Sequence, residues 1–209
     1  MLSARRRAQL GLVTGTAIFL AAMGIVLAGA FEKPNPNAGQ PGTRAATFRL
    51  PDLEGNMVSL GAQRGDVVVI CFAPGPDSKP CEKNIHRMAE LGQRYASSKD
   101  VKFFTIFSDI EDLSPRQTRA IEPLAEAAGP RCTTLLDPTH RISKRYNVAK
   151  IPAYIVIDVA GVIRYNGEVD DPSPDAPLSA ARFTSLIDLL LAEKPASNQS
   201  APALLSNIR

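Results

Sequence analysis

Cys81 is the residue of this chain best placed to do chemistry. It closes the stretch Pro74-Gly75-Pro76-Asp77-Ser78-Lys79-Pro80-Cys81, which leaves the apolar run Val67-Val68-Val69-Ile70-Cys71-Phe72-Ala73 directly. A cysteine at such a strand-to-helix junction meets unpaired backbone N–H groups and the positive end of a helix dipole. Both favour thiolate, the form that attacks disulfides and peroxides. Ser78 stands three residues earlier, where a dithiol exchanger carries its second sulfur, so a self-contained C-x-x-C cycle is closed to this chain. A hydroxyl at that spacing can hydrogen-bond the sulfur or an incoming peroxide, or it can cap the helix by accepting from the Cys81 N–H. Lys79, Lys83 and Arg87 favour the thiolate, while Asp77 and Glu82 oppose it.

Two further cysteines could join this chemistry. Cys71 lies within the apolar run, where it either approaches Cys81 from below or serves as a small core hydrophobe. Cys132 follows the helix stop Gly129-Pro130 with only Arg131 between, where it could resolve a sulfenic acid on Cys81, pair with a partner protein, or stay an unpaired core residue. A bridge to Cys81 requires Cα atoms within about 7 Å. The two histidines, His86 and His140, form no metal-ligand cluster with a cysteine, so neither a metal site nor a cofactor is expected.

The elements that must hold Cys81 in place alternate in type. Phe48-Arg49-Leu50 and Met57-Val58-Ser59-Leu60 read as a hairpin around a turn containing Gly55. Residues 67–73, nearly all apolar, fit a strand covered on both faces. Residues 80–97 then carry Cys81, Ile85, Met88, Ala89 and Tyr95 at helical spacing. Residues 101–107 form a second central strand. Ser114-Pro115-Arg116-Gln117 opens a helix as a capping box, with Pro123 predicting a kink or an early end. A short strand at 132–136 and a short helix at 139–147 come next, then a hairpin of 153–158 and 162–165, and a closing helix over 178–193. This order predicts an α/β sandwich: a central mixed sheet flanked by helices, with an N-terminal β-hairpin.

Composition sets the surroundings. The 209 residues suffice for one domain with appendages. Residues 8–30 carry no charge and follow Arg5, Arg6 and Arg7, the pattern of a segment entering a bilayer with its basic flank left inside. Its length suits an anchor, while Ala28-Gly29-Ala30 suits cleavage as a signal peptide. Under either reading the domain is exported, to the extracytoplasmic (periplasmic) side. Without those three arginines the remaining 21 basic residues balance 21 acidic ones, so nothing points to a nucleic-acid partner. The expected organisation is membrane anchor or signal 1–30, linker 31–45, folded domain 46–193 and a disordered tail 194–209.

Lys150-Ile151-Pro152-Ala153 just before an apolar strand, Leu135-Leu136-Asp137-Pro138, and the Cys81 junction together resemble the thioredoxin-like superfamily over residues 46–193. Within it they resemble the extracytoplasmic redoxin branch of membrane-tethered thiol-disulfide oxidoreductases and peroxiredoxins. The resemblance implies a thioredoxin-like three-layer sandwich and an active-site cis-proline at Pro152, facing the redox cysteine. Pro74-x-x-x-Ser78-x-x-Cys81 is similar to the peroxiredoxin motif, which implies catalytic roles for Pro74, Ser78 and Cys81. Peroxiredoxins also carry an arginine over the cysteine, near the position of Ile151-Pro152; only Lys150 or Arg164 could substitute here. Two functions follow as expectations. One is an oxidoreductase in which Cys81 alone attacks a peroxide or a partner's disulfide and is reset by a thiol reductant. The other is a non-catalytic binding module that has lost the C-x-x-C dithiol.

Overall fold

A computed structural model describes residues 37–108, 110, 112–169 and 178–193. The expected anchor or signal segment at 1–30 and the tail at 194–209 lie outside the described residues. Among the described residues, no helix is long and apolar enough to cross a membrane.

The domain opens with a hairpin of β1 (Arg49–Pro51) and β2 (Met57–Ser59), with Leu50 opposite Val58. The Asp52 carboxylate closes its turn by accepting from the N–H groups of Glu54 and Asn56. A 3-10 turn then leads to β3 (Val67–Ala73), α1 (Lys79–Arg94), β4 (Val101–Phe107), α2 (Pro115–Ala128), β5 (Cys132–Leu136), α3 (Arg141–Arg145), β6 (Ala153–Ile157), β7 (Ile163–Gly167) and α4 (Ala180–Ala192). Strands β3 to β7 form one mixed sheet in the order β5-β4-β3-β6-β7, with β5, β4 and β3 parallel and β6 and β7 antiparallel.

All seven residues of β3 are buried, as an unbroken apolar run at the centre of a covered sheet requires. Alternation sends Val67, Val69, Cys71 and Ala73 to one face, where they pack with residues of α1, α2 and α4. Val68, Ile70 and Phe72 face the other layer, built from Phe48, Leu50, Ile142 and Tyr146. Each fully buried aliphatic or aromatic side chain contributes about 1.5–3 kcal/mol. The three cysteines are free thiols, so this core holds the fold without a disulfide.

Several local expectations are corrected. Ser114 forms no capping box: its side chain caps nothing, and its own N–H is held by the Asp112 carboxylate. Pro123 does not end α2, which runs on to Ala128; Pro123 and Arg119 are both exposed, so water can serve the carbonyl that the missing N–H leaves open. The short helix spans Arg141–Arg145 rather than 139–147. The Asp137 carboxylate starts it by accepting from the N–H groups of Arg141, Ile142 and Ser143.

Residues 37–45 are not a free linker. Ala45 and Gly42 donate to the carbonyls of Gly161 and Ile163, and Ile163 donates back to Thr43, so the segment runs along β7. Tyr146 secures it by donating its hydroxyl to the Ala46 carbonyl at 2.6 Å.

Gly39 approaches this junction so closely that a Cβ there would lie 1.8 Å from the Tyr146 carbonyl oxygen, and its φ is +85°. Gly39→Ala is expected to lower the unfolding free energy by at least about 2 kcal/mol. Gly42 has a φ of +87° but open space around it, so Gly42→Ala is expected to cost only about 1 kcal/mol. Urea unfolding of both variants checks the order; equal losses would remove the steric account.

Burial pushes the Cys71 and Cys132 thiols up to about 12, and the phenol hydroxyls of Tyr95 and Tyr165 likewise rise to about 12. An acid whose folded pKa is raised stays protonated while the unfolded chain ionises. Stability is therefore full below the ordinary thiol pKa of 9.0 and falls as pH rises from there towards 12. The urea midpoint is expected to decline steadily from pH 9 to 11, with a shallower decline in Cys71→Ala. A midpoint that stays level across that range contradicts the buried-thiol linkage.

Candidate functional site

The site gathers at the end of the sheet where β3 finishes and β6 begins. Their antiparallel register sets Phe72 opposite Ala153 and Cys71 opposite Tyr154. One residue further on each strand, the chain enters Ala73-Pro74 on one side and Pro152 on the other. The Ile151-Pro152 peptide bond is cis, as the resemblance implied. Loop 74–78 then delivers the chain to the first turn of α1, where Cys81 sits.

Cys81 differs from expectation in its surroundings. Its side chain is buried with no measurable exposure, within the cluster that includes Cys71, Ile85, Met88 and Tyr154. Desolvation, with the negative charge of neighbouring Glu82 adding to it, pushes its thiol up to about 11 rather than down. The Cys81 N–H is already taken by the Ser78 carbonyl at 3.0 Å. Arg87, counted as a thiolate-favouring cation, lies over the Tyr154 ring at 5.7 Å and donates to the Val169 carbonyl.

Ser78 begins α1 as its N-cap residue, but its hydroxyl donates to the Gly75 carbonyl at 2.8 Å. It makes no capping bond to the Cys81 N–H. A hydroxyl carries one proton, so in this conformation Ser78 has none left to give the sulfur. Pro74 is buried at the end of β3, and Pro152 is half-buried.

The other candidates separate. Cys132 donates its thiol to the Met88 carbonyl at 3.3 Å, and a Cβ at Gly92 would lie 3.6 Å from its sulfur. Met88 is seven residues beyond Cys81, or about 10 Å along the helix. That exceeds the separation a disulfide spans, so Cys132 is not placed to resolve Cys81 in this conformation. Cys71 is nearer: it shares the face under α1, and its thiol interacts electrostatically with that of Cys81. Desolvation still holds it protonated. Neither substitute for the peroxiredoxin arginine covers the sulfur. Lys150 pairs with Glu168 at 2.8 Å, and Arg164 pairs with the buried Asp158 at 2.6 Å, at the opposite end of β6. His86 is exposed and pairs with Glu90, and His140 precedes α3. Among the described residues no group of His, Cys, Asp or Glu could hold a metal ion.

Two residues that sequence reasoning missed complete the site. Tyr154 donates its hydroxyl to Asn84 Oδ1 at 2.6 Å, and Asn84 Nδ2 donates to the Pro80 carbonyl at 2.6 Å. The sheet register extends this polarity: Tyr154, Cys71, Thr105 and Thr134 lie side by side across β6, β3, β4 and β5, all buried. Asn84 carried a signal, because at i+3 from Cys81 and i−4 from Met88 it falls on their helical face, where a polar residue needs a buried partner.

Known proteins are similar to this chain in sequence and fold. A "Putative peroxiredoxin" of Mycobacterium tuberculosis is 28% identical over 132 residues, covering 63% of this chain and 78% of that protein. The "Thiol-disulfide oxidoreductase ResA" of Geobacillus kaustophilus is 30% identical over 123 residues, covering 59% of this chain and 66% of that protein. The solved structure of an uncharacterized conserved protein, also from Geobacillus kaustophilus, superposes with a TM-score of 0.61 at 26% identity, over 78% of this chain and 88% of that one. The family model described as Redoxin matches residues 40–181, and with the three-layer sandwich and the Cys81 junction in place, the chain belongs to the Redoxin family and has its thioredoxin-like fold.

Proposed function

We propose that this redoxin is a thiol oxidoreductase working from Cys81 alone, on the extracytoplasmic side of a membrane to which residues 8–30 tether it. The observation that carries the reading is the convergence at one sheet end of Cys81 in the first turn of α1, Ser78 at its start and Pro152 across the β3–β6 register. The peroxiredoxin and thiol-disulfide oxidoreductase among its relatives support the same chemistry. The uncharged stretch at 8–30 behind three arginines supports the tether.

In the closed conformation the sulfur is protonated and covered, so reaction begins with loop 74–78 and the first turn of α1 moving aside. Once exposed, the thiol gives its proton to solvent water, and the thiolate attacks. With a peroxide, a sulfur–oxygen bond forms, the O–O bond breaks, and Cys81 becomes a sulfenic acid as water or an alcohol leaves. An external thiol condenses with the sulfenic acid, releasing water and forming a mixed disulfide. A second thiol reduces that disulfide and restores Cys81. With a disulfide-bearing protein partner, the thiolate displaces one sulfur and the same reduction completes the cycle.

A second reading is favoured by one observation, the raised pKa of a thiol without measurable exposure. On that reading the fold is a binding module whose surface around Pro152 holds an extended peptide.

Treatment with hydrogen peroxide in the presence of dimedone is expected to leave a sulfenic-acid adduct on Cys81, and an aryl disulfide is expected to leave a mixed disulfide there. Cys81→Ser should lose both. Mass spectrometry finding neither product on Cys81, together with partner capture unchanged in Cys81→Ser, would instead establish the module.

A further inference from the structure

We infer that Tyr154 and Asn84 are positioning residues for Cys81, forming a buried hydrogen-bond chain that ties the first turn of α1 to β6 and sets access to the sulfur. The inference rests on Cys81 being the reactive group. Its chain can be followed atom by atom. The Tyr154 hydroxyl donates to Asn84 Oδ1 at 2.6 Å, and Asn84 Nδ2 donates to the carbonyl of Pro80, the residue before Cys81, at 2.6 Å. Tyr154 has 1% of its surface exposed and Asn84 4%, so water does not compete for the link between them, while the Asn84–Pro80 link is part-buried. The tyrosine is anchored at its far end as well. Its ring meets Phe183 of α4 edge-on at 5.4 Å and carries the Arg87 guanidinium over its face.

The location gives the chain its consequence. Tyr154 lies two residues after Pro152, so the strand that presents this proline to the site also grips the turn covering Cys81. Opening that turn pulls the Pro80 carbonyl away from Asn84, or Asn84 away from Tyr154, and leaves a buried polar group without its partner. Among the described residues, the hydrogen bonds inside loop 74–78 are those of the Ser78 N–H and hydroxyl to the Gly75 carbonyl, and these can travel with it. The Tyr154–Asn84–Pro80 chain is therefore the link that must break for the sulfur to meet solvent.

The test is the rate at which iodoacetamide alkylates Cys81 in the full chain at fixed pH, read by peptide mass spectrometry. Tyr154→Phe keeps the ring against Phe183 and removes only the hydroxyl; Asn84→Ala removes the middle of the chain. Each is expected to speed Cys81 labelling at least tenfold, and the double variant is expected to be no faster than the quicker single. Tyr146→Phe is the control, since it removes a 2.6 Å hydrogen bond to the Ala46 carbonyl in the other layer and should leave Cys81 labelling unchanged. Equal effects of Tyr154→Phe and Tyr146→Phe, additive effects of the two chain variants, or an unaltered protein whose Cys81 labels as fast as a free thiol would each overturn the inference. Should Tyr154→Phe not fold, Asn84→Ala against the control decides alone. Alkylation reads access whether or not Cys81 turns over a disulfide, so a failure here is distinct from a failure of the redox reading.

Discussion

Desolvation of one sulfur governs this site. The start of a helix favours a thiolate by about 0.3–1 kcal/mol, and up to about 2 kcal/mol when partly buried. Cys81 occupies that position, yet its thiol rises from 9.0 to about 11, and each pKa unit is worth about 1.4 kcal/mol. Burial wins because little else compensates: the local N–H is spent on Ser78, the nearest acting charge is that of Glu82, and Arg87 is engaged elsewhere. On the proposed function, a nucleophile held this way is stored rather than armed, and motion of its cover becomes part of its chemistry.

The cover follows from the fold. β3 is buried on both faces, so α1 must lie flat on the sheet, and the first turn of α1 carries Cys81 down with Ile85 and Met88. The β3–β6 register brings Pro152 to the same end and, two residues on, sends Tyr154 beneath the helix. One strand thereby supplies both an edge of the candidate binding surface and the hydrogen-bond chain that holds its cysteine closed.

Much of this arrangement was legible in the sequence where pattern and burial coincide. The apolar runs 67–73 and 153–157 and the Asp52–Asn56 turn each carry their own instructions, and they form as read. The cis bond before Pro152 came from family resemblance rather than from any local signal. What escaped were properties set by distant partners. The Ser78 hydroxyl took the Gly75 carbonyl instead of capping the helix, and Asp112 holds the Ser114 N–H while the Ser114 side chain caps nothing, since short polar side chains have several local backbone groups to choose from. Residues 37–45 look like a tether by composition, yet β7 offers an open edge that their backbone can bond. The spacing of Cys81 with Ile85, Met88 and Tyr95 pointed to the buried stripe, but how fully the sulfur is covered depends on how closely Tyr154 and Met88 approach from other turns and strands.

The most direct test of a stored thiol is the ionisation of Cys81 in the resting protein, followed by the 13Cβ chemical shift of labelled cysteine against pH. The account predicts no thiolate signal at Cys81 below about pH 10, with the transition near 11. A transition below pH 8 would show an armed, solvated thiolate and contradict it.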